Sequence, residues 1–348
     1  MRGLYIHVPF CAKKCPYCDF YSLPISEQKA EKYKNAVIRN LSKYNKEQFD
    51  TVYFGGGTPA LIYDKIAEIL GAVNYTENAE ITVECNPESA DEIALNELKN
   101  AGVNRLSFGV QSLDESELSA LGRTHSAQTA KDAILLAHSL GFENISADIM
   151  LGVPNQTLSS LEKTIDGLCK LPITHVSAYL LKIEQNTVFG RKTDEIELPD
   201  EDLQSELYLR SVELLESRGF MQYEISNFAK AGFESKHNLK YWRAEEYIGI
   251  GPSAHSYYNG KRFAVDRNLS RFLEDEFQRE GITDEAPDKD EEKILLGLRL
   301  CEGVELSERL KKRLSLIPEE YYRITNNRLS LTPRGFLVSN EIIATLLK

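Results

Sequence analysis

The chain begins Met1-Arg-Gly-Leu-Tyr-Ile-His-Val-Pro-Phe-Cys-Ala-Lys-Lys-Cys-Pro-Tyr-Cys-Asp-Phe20, and this stretch decides the fold. The apolar run from Leu4 to Phe10 predicts a short strand, which leads directly into Cys11, Cys15 and Cys18. Thiolates are the usual protein ligands of a four-iron, four-sulfur (4Fe-4S) cluster, so three of them can bind three of its irons. The fourth iron is then open to a small molecule with an amine and a carboxylate, and S-adenosylmethionine (SAM) is such a molecule.

A zinc site and a disulfide framework are the alternatives to a cluster at these cysteines. His7 could complete a zinc site with them, but it lies on the predicted strand, and the two separated ligand pairs usual for structural zinc are absent. A disulfide framework is disfavoured because the 348 residues hold six cysteines and no signal peptide precedes the first. Small buried thiols are the expectation for the isolated cysteines, Cys85, Cys169 and Cys301.

Composition narrows the class of protein. The hydrophobic content of 42% is ordinary for a globular protein, and no apolar run reaches the length of a membrane-spanning helix. The net charge of -12 argues against broad nucleic-acid binding. We therefore expect a cytoplasmic protein, in a reducing compartment that keeps thiolates available for iron.

Strand and helix patterns alternate beyond the cysteines. The predicted strands after the first are Thr51–Phe54, Glu80–Glu84, Arg105–Val110, Ile145–Met150 and His175–Leu180. The predicted helices are Ser26–Tyr44, Asp64–Val73, Asp91–Ala101, Ala127–Leu140, Leu158–Leu171 and Glu201–Arg218. This alternation predicts an α/β fold with a parallel sheet. Six units are fewer than the eight of a closed TIM barrel, so we expect an open, partial (β/α)6 barrel.

Polar and glycine-rich residues fall where these strands end, which is where barrels of this kind place their chemistry. The second strand runs into Gly55-Gly-Gly-Thr-Pro59, whose glycines would let a ligand approach the backbone closely. Glu84, Gln111 and Asp148 could hydrogen-bond a ribose or an amino group, and Arg123 could pair with a carboxylate. Each of them alone is more often a structural polar residue. Their position on one rim favours a shared site.

The motifs resemble the radical-SAM superfamily, and within it the oxygen-independent coproporphyrinogen III oxidases and their relatives. The matching stretches are Tyr5-Ile-His-Val-Pro-Phe-Cys11, Gly55-Gly-Gly-Thr-Pro59, Glu84-Cys-Asn-Pro87, Gly109-Val-Gln-Ser112, Gly122-Arg-Thr-His125, Asp148-Ile-Met-Leu-Gly152 and Gly251-Pro-Ser-Ala-His-Ser256. The resemblance implies that Cys11, Cys15 and Cys18 bind the cluster. It also implies a SAM site lined by Tyr5, Tyr17, Gly56, Gly57, Thr58, Glu84, Gln111, Arg123 and Asp148.

Two departures from the oxidases argue against decarboxylation of coproporphyrinogen. The oxidases carry a further cysteine two residues after the triplet, where this chain has Phe20. They also have an extension before the motif, whereas Tyr5 lies almost at the start here. The sequence leaves open whether the chain is an enzyme at all and whether it cleaves SAM.

A third feature, His237-Asn-Leu-Lys-Tyr-Trp242, resembles the H-N-x-x-Y-W pattern of the HemW-type haem chaperones, the branch with the same short N-terminus. The resemblance implies a protein that binds haem and passes it to an acceptor haemoprotein. His237 is then the leading haem ligand and His255 the alternative, with Tyr241 and Trp242 packed against the macrocycle. Alternatively, Trp242 is a core residue and His237 its hydrogen-bonded neighbour. The rival functions are a coproporphyrinogen dehydrogenase and a radical-SAM enzyme on another substrate.

The patterns divide the chain into a partial barrel (1–220), a connecting segment with the haem motif (221–285) and a C-terminal winged-helix-like domain (286–348). In the last, we expect helices at Glu291–Arg299 and Leu306–Leu314, a hairpin-like segment at Asn327–Phe336 and a final helix. Arg309, Lys311, Lys312 and Arg313 cluster there, but residues 288–348 hold eleven Lys/Arg against ten Asp/Glu. So small an excess favours a lid or docking surface over DNA binding.

Overall fold

Six parallel strands form the centre of the computed structural model, which describes residues 1–192 and 195–348. Their bounds are Arg2–Val8, Phe49–Gly56, Tyr75–Cys85, Arg105–Gln111, Asn144–Leu151 and His175–Leu180, and they lie in the sheet in that order. All five pairings between them are parallel. The first and sixth strands do not pair with each other; each has a different neighbour on its outer side. The prediction of an open, six-unit α/β barrel is confirmed.

Helices cover the outside of these strands. They are Glu27–Leu41, Tyr63–Gly71, Glu92–Asn100, Ala127–Ser139, Leu158–Cys169 and Glu201–Ser217. Side-chain caps set most of their starts: Ser26 accepts a hydrogen bond from the Lys29 amide, and Asp91 accepts one from Ala94. Two short helices, Glu115–Ala120 and Val188–Arg191, are additional to the predicted ones. They are too short for hydrophobic periodicity to show in the sequence.

The segment after the sixth helix adds strands to both edges of the same sheet. These strands are Met221–Gln222, Asn227–Ala229, Tyr247–Ile250, His255–Tyr258, Lys261–Val265 and Glu280–Asp284. Tyr247–Ile250 pairs in parallel with the first barrel strand, and Asn227–Ala229 pairs antiparallel with the sixth. A helix, Lys236–Trp242, holds the H-N-x-x-Y-W motif between them.

The C-terminal part combines short helices with a three-stranded antiparallel sheet. Its elements are helices Lys289–Gly297, Glu308–Leu314, Pro333–Leu337 and Ser339–Leu347 and strands Val304–Glu305, Tyr322–Thr325 and Arg328–Leu331. The hairpin starts earlier than predicted, because Asn326 and Asn327 both have positive φ and form its two-residue turn. The winged-helix comparison and the domain limits remain predictions. No helix in residues 1–192 or 195–348 is long and apolar enough to span a membrane.

Glu224 joins the barrel to the C-terminal part through an antiparallel bridge with Leu300. The side chain is fully buried, and one carboxylate oxygen accepts a hydrogen bond from the Ser226 amide at 3.2 Å. Burial raises the pKa of Glu224 from 4.5 to about 7. The folded protein therefore retains a proton there in a pH range where the unfolded chain has released it.

We expect the Glu224→Gln variant to gain stability relative to the wild type as the pH rises from about 5 to about 8. The raised pKa makes the wild type lose free energy of unfolding across that range, by about 3 kcal/mol for a shift of this size. The glutamine lacks this titration. Denaturant unfolding of both proteins at several pH values measures the difference, and a difference independent of pH would contradict the prediction.

Candidate functional site

A cavity of roughly 520 Å³ opens at the carboxyl ends of the barrel strands. Its walls hold the three cysteines of the N-terminal loop together with residues from the ends of five strands and the loops that follow them. Of the residues predicted for the two sites, this cavity brings together Cys11, Cys15, Cys18, Tyr17, Gly56, Gly57, Thr58, Glu84, Gln111, Arg123 and Asp148.

The cysteines are free thiols, partly buried on the cavity wall. The Cys18 amide donates to the Cys15 carbonyl at 3.2 Å, which turns the loop back on itself. Arg123 Nη1 lies 3.5 Å from the Cys15 sulfur, and Thr58 Oγ1 lies 3.6 Å from the Cys11 sulfur. Burial raises the pKa of the Cys18 thiol. A bound metal offsets this cost, because coordination deprotonates a thiol outright.

The donor set fits a cluster better than a single zinc ion. In residues 1–192 and 195–348, no three His, Cys, Asp or Glu side chains could hold one metal ion. His7 is occupied, since Nδ1 contacts the Tyr5 hydroxyl at 3.0 Å and Nε2 contacts the Tyr21 carbonyl at 2.9 Å. A 4Fe-4S cube instead places each thiolate on a different iron, so its sulfurs need not converge.

The glycine loop packs tightly against the strand that precedes the cysteines. A Cβ on Gly57 would lie 2.4 Å from the Phe10 carbonyl oxygen, so only glycine fits there. The Gly57 and Thr58 amides donate to the Val8 and Phe10 carbonyls, and the Gly56 amide donates to Glu84 Oε2 at 3.0 Å. These amides are thus used within the protein. The loop fixes the cavity wall and the carboxylate beside it.

Glu84 and Asp148 are the buried acids of the cavity. The Tyr53 hydroxyl donates to Glu84 Oε1 at 2.8 Å, and burial raises the pKa of Glu84 to about 7. Asp148 accepts hydrogen bonds from Ser107 at 3.1 Å and Ser146 at 3.3 Å, and its pKa is raised by burial. Both carboxyl groups are held in place and face the space that a polar ligand would fill.

Backbone irregularity directs Gln111 into the cavity. Its φ is 68°, and the pairing register with the next strand shifts between Gly109 and Gln111. Such bulges commonly re-aim a side chain beside a functional site. Arg123 is fixed by the Asn86 side chain at 2.8 Å and the Gly109 carbonyl at 2.7 Å.

Several lining residues were not predicted from the sequence: Tyr53, Asn86, Arg105, Ser107, Met150, Ser177 and Tyr179. Most of them occupy alternate positions along a strand, a pattern that can be recognised in the sequence. Residues 105, 107, 109 and 111 of the fourth strand line the cavity, as do 148 and 150 of the fifth and 177 and 179 of the sixth. Alternate residues of a strand face one side of the sheet, so a predicted rim residue such as Asp148 indicates others of the same parity on its own strand. The sixth strand holds no predicted site residue from which to count.

A second cavity, of roughly 540 Å³, lies beside the first and shares six lining residues with it: Asp19, Phe20, Tyr53, Glu84, Tyr179 and Asn238. Tyrosines dominate its walls, and three histidines contribute to them. The lining includes Tyr5, Tyr21, Tyr241, Tyr247, His7, His237, His255 and Arg267. Tyr5, predicted for the SAM site, therefore faces this second space.

The residues predicted to bind haem differ in burial and in whether they line the second cavity. His237 is buried, with Nδ1 2.8 Å from the Thr51 hydroxyl and Nε2 2.8 Å from the Tyr241 hydroxyl. Burial, followed by the charge of Lys240, lowers the pKa of His237 to about 3. His255 also lines the second cavity and is exposed. Trp242 packs elsewhere, with the Arg299 guanidinium 5.9 Å from its ring centre.

A partial barrel that carries C-x3-C-x2-C after its first strand defines the class of radical-SAM proteins. The model of the Radical SAM superfamily matches residues 5–168 of the chain.

Full-length relatives narrow the class. A protein of Bacillus subtilis called heme chaperone HemW is 35% identical, with 100% of this chain and 99% of the relative aligned. The heme chaperone HemW of Escherichia coli is 36% identical over 86% of this chain and 83% of its own length. The chain therefore belongs to the HemW family of the radical-SAM superfamily.

A solved structure supports the fold alone. The Escherichia coli coproporphyrinogen III oxidase HemN, described as a radical SAM enzyme, has a TM-score of 0.82, with 99% of this chain and 89% of that chain covered. Because the sequence identity is 19%, this similarity supports a shared fold and nothing about function.

Proposed function

We propose that the protein binds haem in the second cavity and transfers it to an acceptor haemoprotein, while the first cavity holds a 4Fe-4S cluster and SAM. Cys11, Cys15 and Cys18 would bind the cluster, whose chemistry when bound is electron transfer to SAM. The side chains of Tyr17, Glu84, Gln111, Arg123 and Asp148 would orient SAM through hydrogen bonds and charge.

One observation carries the haem proposal: a tyrosine-walled cavity with a histidine at its exposed side lies directly beside the cluster loop. Ligand sites are concave and mostly apolar or aromatic, with a few polar groups that fix orientation. The names of the full-length relatives point the same way, since those proteins are called heme chaperones.

We further propose His255 as the haem ligand, with His237 and Tyr241 as part of the wall. A ligand needs a free nitrogen, and both ring nitrogens of His237 already have hydrogen-bond partners. Freeing one would leave the Thr51 or Tyr241 hydroxyl unpaired in a buried place, at a cost of about 1–3 kcal/mol. The imidazole of His255 is exposed at the cavity and needs no such rearrangement.

An anaerobic haem titration of the reconstituted protein, followed in the Soret region, tests the proposal. We expect saturation at one haem per chain. His255→Ala should weaken binding by roughly tenfold or more, equivalent to about 1.4 kcal/mol, and shift the Soret band. His237→Ala should leave the band in place, because it alters the wall and not the ligand.

The reverse pattern, a shifted band in His237→Ala alone, would return the ligand role to His237. Absence of saturable haem binding by the wild type would refute the haem proposal. His138→Ala serves as the control, since His138 lies in the last turn of an outer helix.

A second candidate, a radical-SAM enzyme on a small substrate, is favoured by the depth of the first cavity, which reaches from the cysteine loop to Arg105 at the start of the fourth strand. Incubation with SAM, a reductant and a tetrapyrrole separates the two. Catalytic release of 5′-deoxyadenosine identifies an enzyme, and stoichiometric haem uptake without it identifies a chaperone.

A further inference from the structure

We propose that Arg105 forms an anion-binding subsite on the floor of the first cavity and receives a carboxylate group from a ligand that enters the barrel. Arg105 begins the fourth strand, and its side chain reaches the cavity from below the rim residues. It was not singled out in the sequence, because it lies at the amino end of its strand, away from the motifs.

The side chain is buried without enough hydrogen-bond acceptors. Arg105 is 1% exposed, and its Nε and Nη1 atoms have no hydrogen-bond partner among the residues that the structure describes. A buried donor left unpaired costs about 1–3 kcal/mol. The folded protein therefore presents two nitrogen donors to a space that an acceptor can enter.

The nearby acids do not use these donors. Glu80 accepts from the amides of Lys236 and His237, at 3.1 Å each, and so caps the helix of the H-N-x-x-Y-W motif. Asp148 accepts from the serine hydroxyls around it. Their charges still act on the guanidinium. Burial alone would lower the pKa of Arg105, but the charges of Glu80 and of other neighbours that include Asp148 outweigh this effect, and the pKa is raised overall. Arg105 thus stays charged with its N–H groups uncommitted.

The surroundings suit a carboxylate. The planar guanidinium presents parallel donors that match the two oxygens of a carboxylate. The hydroxyls of Ser107 and Ser177 line the same cavity but already donate to Asp148, so the guanidinium supplies the donors to an incoming carboxylate. Repulsion from Glu84 is limited near neutral pH, because burial raises the pKa of this acid to about 7.

Two sources could supply the carboxylate. The first, which depends on the proposed function, is a haem propionate that reaches past Tyr53 and Tyr179, two of the residues common to both cavities. The second is a separate small carboxylate. The carboxylate of SAM is not a candidate for the floor, since the proposed SAM site puts it at the rim, on the open iron.

The experiment uses two probes on the full-length reconstituted protein. Haem and haem dimethyl ester, whose propionates are blocked, are titrated in parallel, and carboxyl-labelled ¹³C-propionate is titrated by NMR. The variants are Arg105→Met, Arg105→Lys and, as the control, Arg271→Met, which removes an exposed arginine paired with Asp266. Thermal unfolding of each variant checks that it is folded.

If a haem propionate binds Arg105, the wild type and Arg271→Met should prefer haem to its ester by about tenfold, and Arg105→Met should lose that preference. If a small carboxylate binds, the wild type should bind ¹³C-propionate saturably and Arg105→Met should not. Arg105→Lys keeps the charge without the planar pair of donors, so it should fall between.

Equal affinity of the wild type for haem and ester, together with no saturable propionate binding, would mean that only water meets Arg105, and would overturn the proposal. The propionate arm does not require haem. A failure of haem binding alone therefore counts against the chaperone function and leaves the subsite to the second probe. The wild-type arms also decide the matter if Arg105→Met does not fold.

Discussion

Replacement of Cys15 by alanine should abolish the 4Fe-4S cluster of the anaerobically reconstituted protein. One iron would lose its only protein ligand, and the adjacent Arg123 donor would lose the sulfur that it contacts at 3.5 Å. The broad visible absorbance and the content of iron and acid-labile sulfide should fall to near background. These quantities are measured directly after reconstitution and desalting.

Cys169→Ala is the matched control. Cys169 is also a free, partly buried cysteine, but it ends the helix Leu158–Cys169 and does not line the first cavity. It should retain full iron and sulfide. An unchanged cluster in Cys15→Ala would remove the central assignment of the site, whereas loss of the cluster in both variants would point to damage during reconstitution.

Replacement of Asp148 by alanine should weaken SAM binding by roughly 10- to 150-fold while the iron content stays constant. The carboxylate is buried and oriented by Ser107 and Ser146, so it can make a hydrogen bond to SAM worth about 1.5–3 kcal/mol. Equilibrium dialysis or calorimetry under anaerobic conditions gives the affinity.

Asp148→Asn separates charge from shape in this test. The amide keeps the volume and one acceptor oxygen, so the variant should lose less affinity than the alanine. If the alanine variant binds SAM as well as the wild type does, Asp148 serves only to hold the serines of the barrel interior. The substitution would then lower the temperature of thermal unfolding and leave SAM affinity unchanged.

Much of the fold follows from local pattern. Each barrel strand is a short apolar run, and each barrel helix has a cap or a periodic apolar face, so both kinds of element were predicted. The long third strand, Tyr75–Cys85, was predicted only from Glu80, because the consecutive polar residues Thr76, Glu77 and Asn78 in its first half are partly or fully exposed. The strands at 247–284 were missed for a related reason: they are short, and they are defined by pairing with the first barrel strand and with one another.

The site residues also divide into those that local sequence pattern predicts and those that only the tertiary structure reveals. Rim residues such as Glu84, Gln111 and Asp148 lie at strand ends and were predicted together. Arg105 lies four residues before Gly109, and only the pleat of the strand reveals that the two face one cavity. The hydrogen bonds of His237 could not be foreseen either, since Thr51 is 186 positions away in the chain.

Tyr53 lies in the wall between the two cavities. Its hydroxyl donates to Glu84, and its ring centre lies 5.1 Å from that of His237 in the second cavity. A ligand that moves Tyr53 on one side therefore changes the space available on the other. Thermodynamic linkage makes such an effect mutual: if SAM alters the affinity for haem by some factor, haem alters the affinity for SAM by the same factor. If the first cavity holds SAM and the second holds haem, as proposed, this tyrosine lets each site respond to whether the other is occupied.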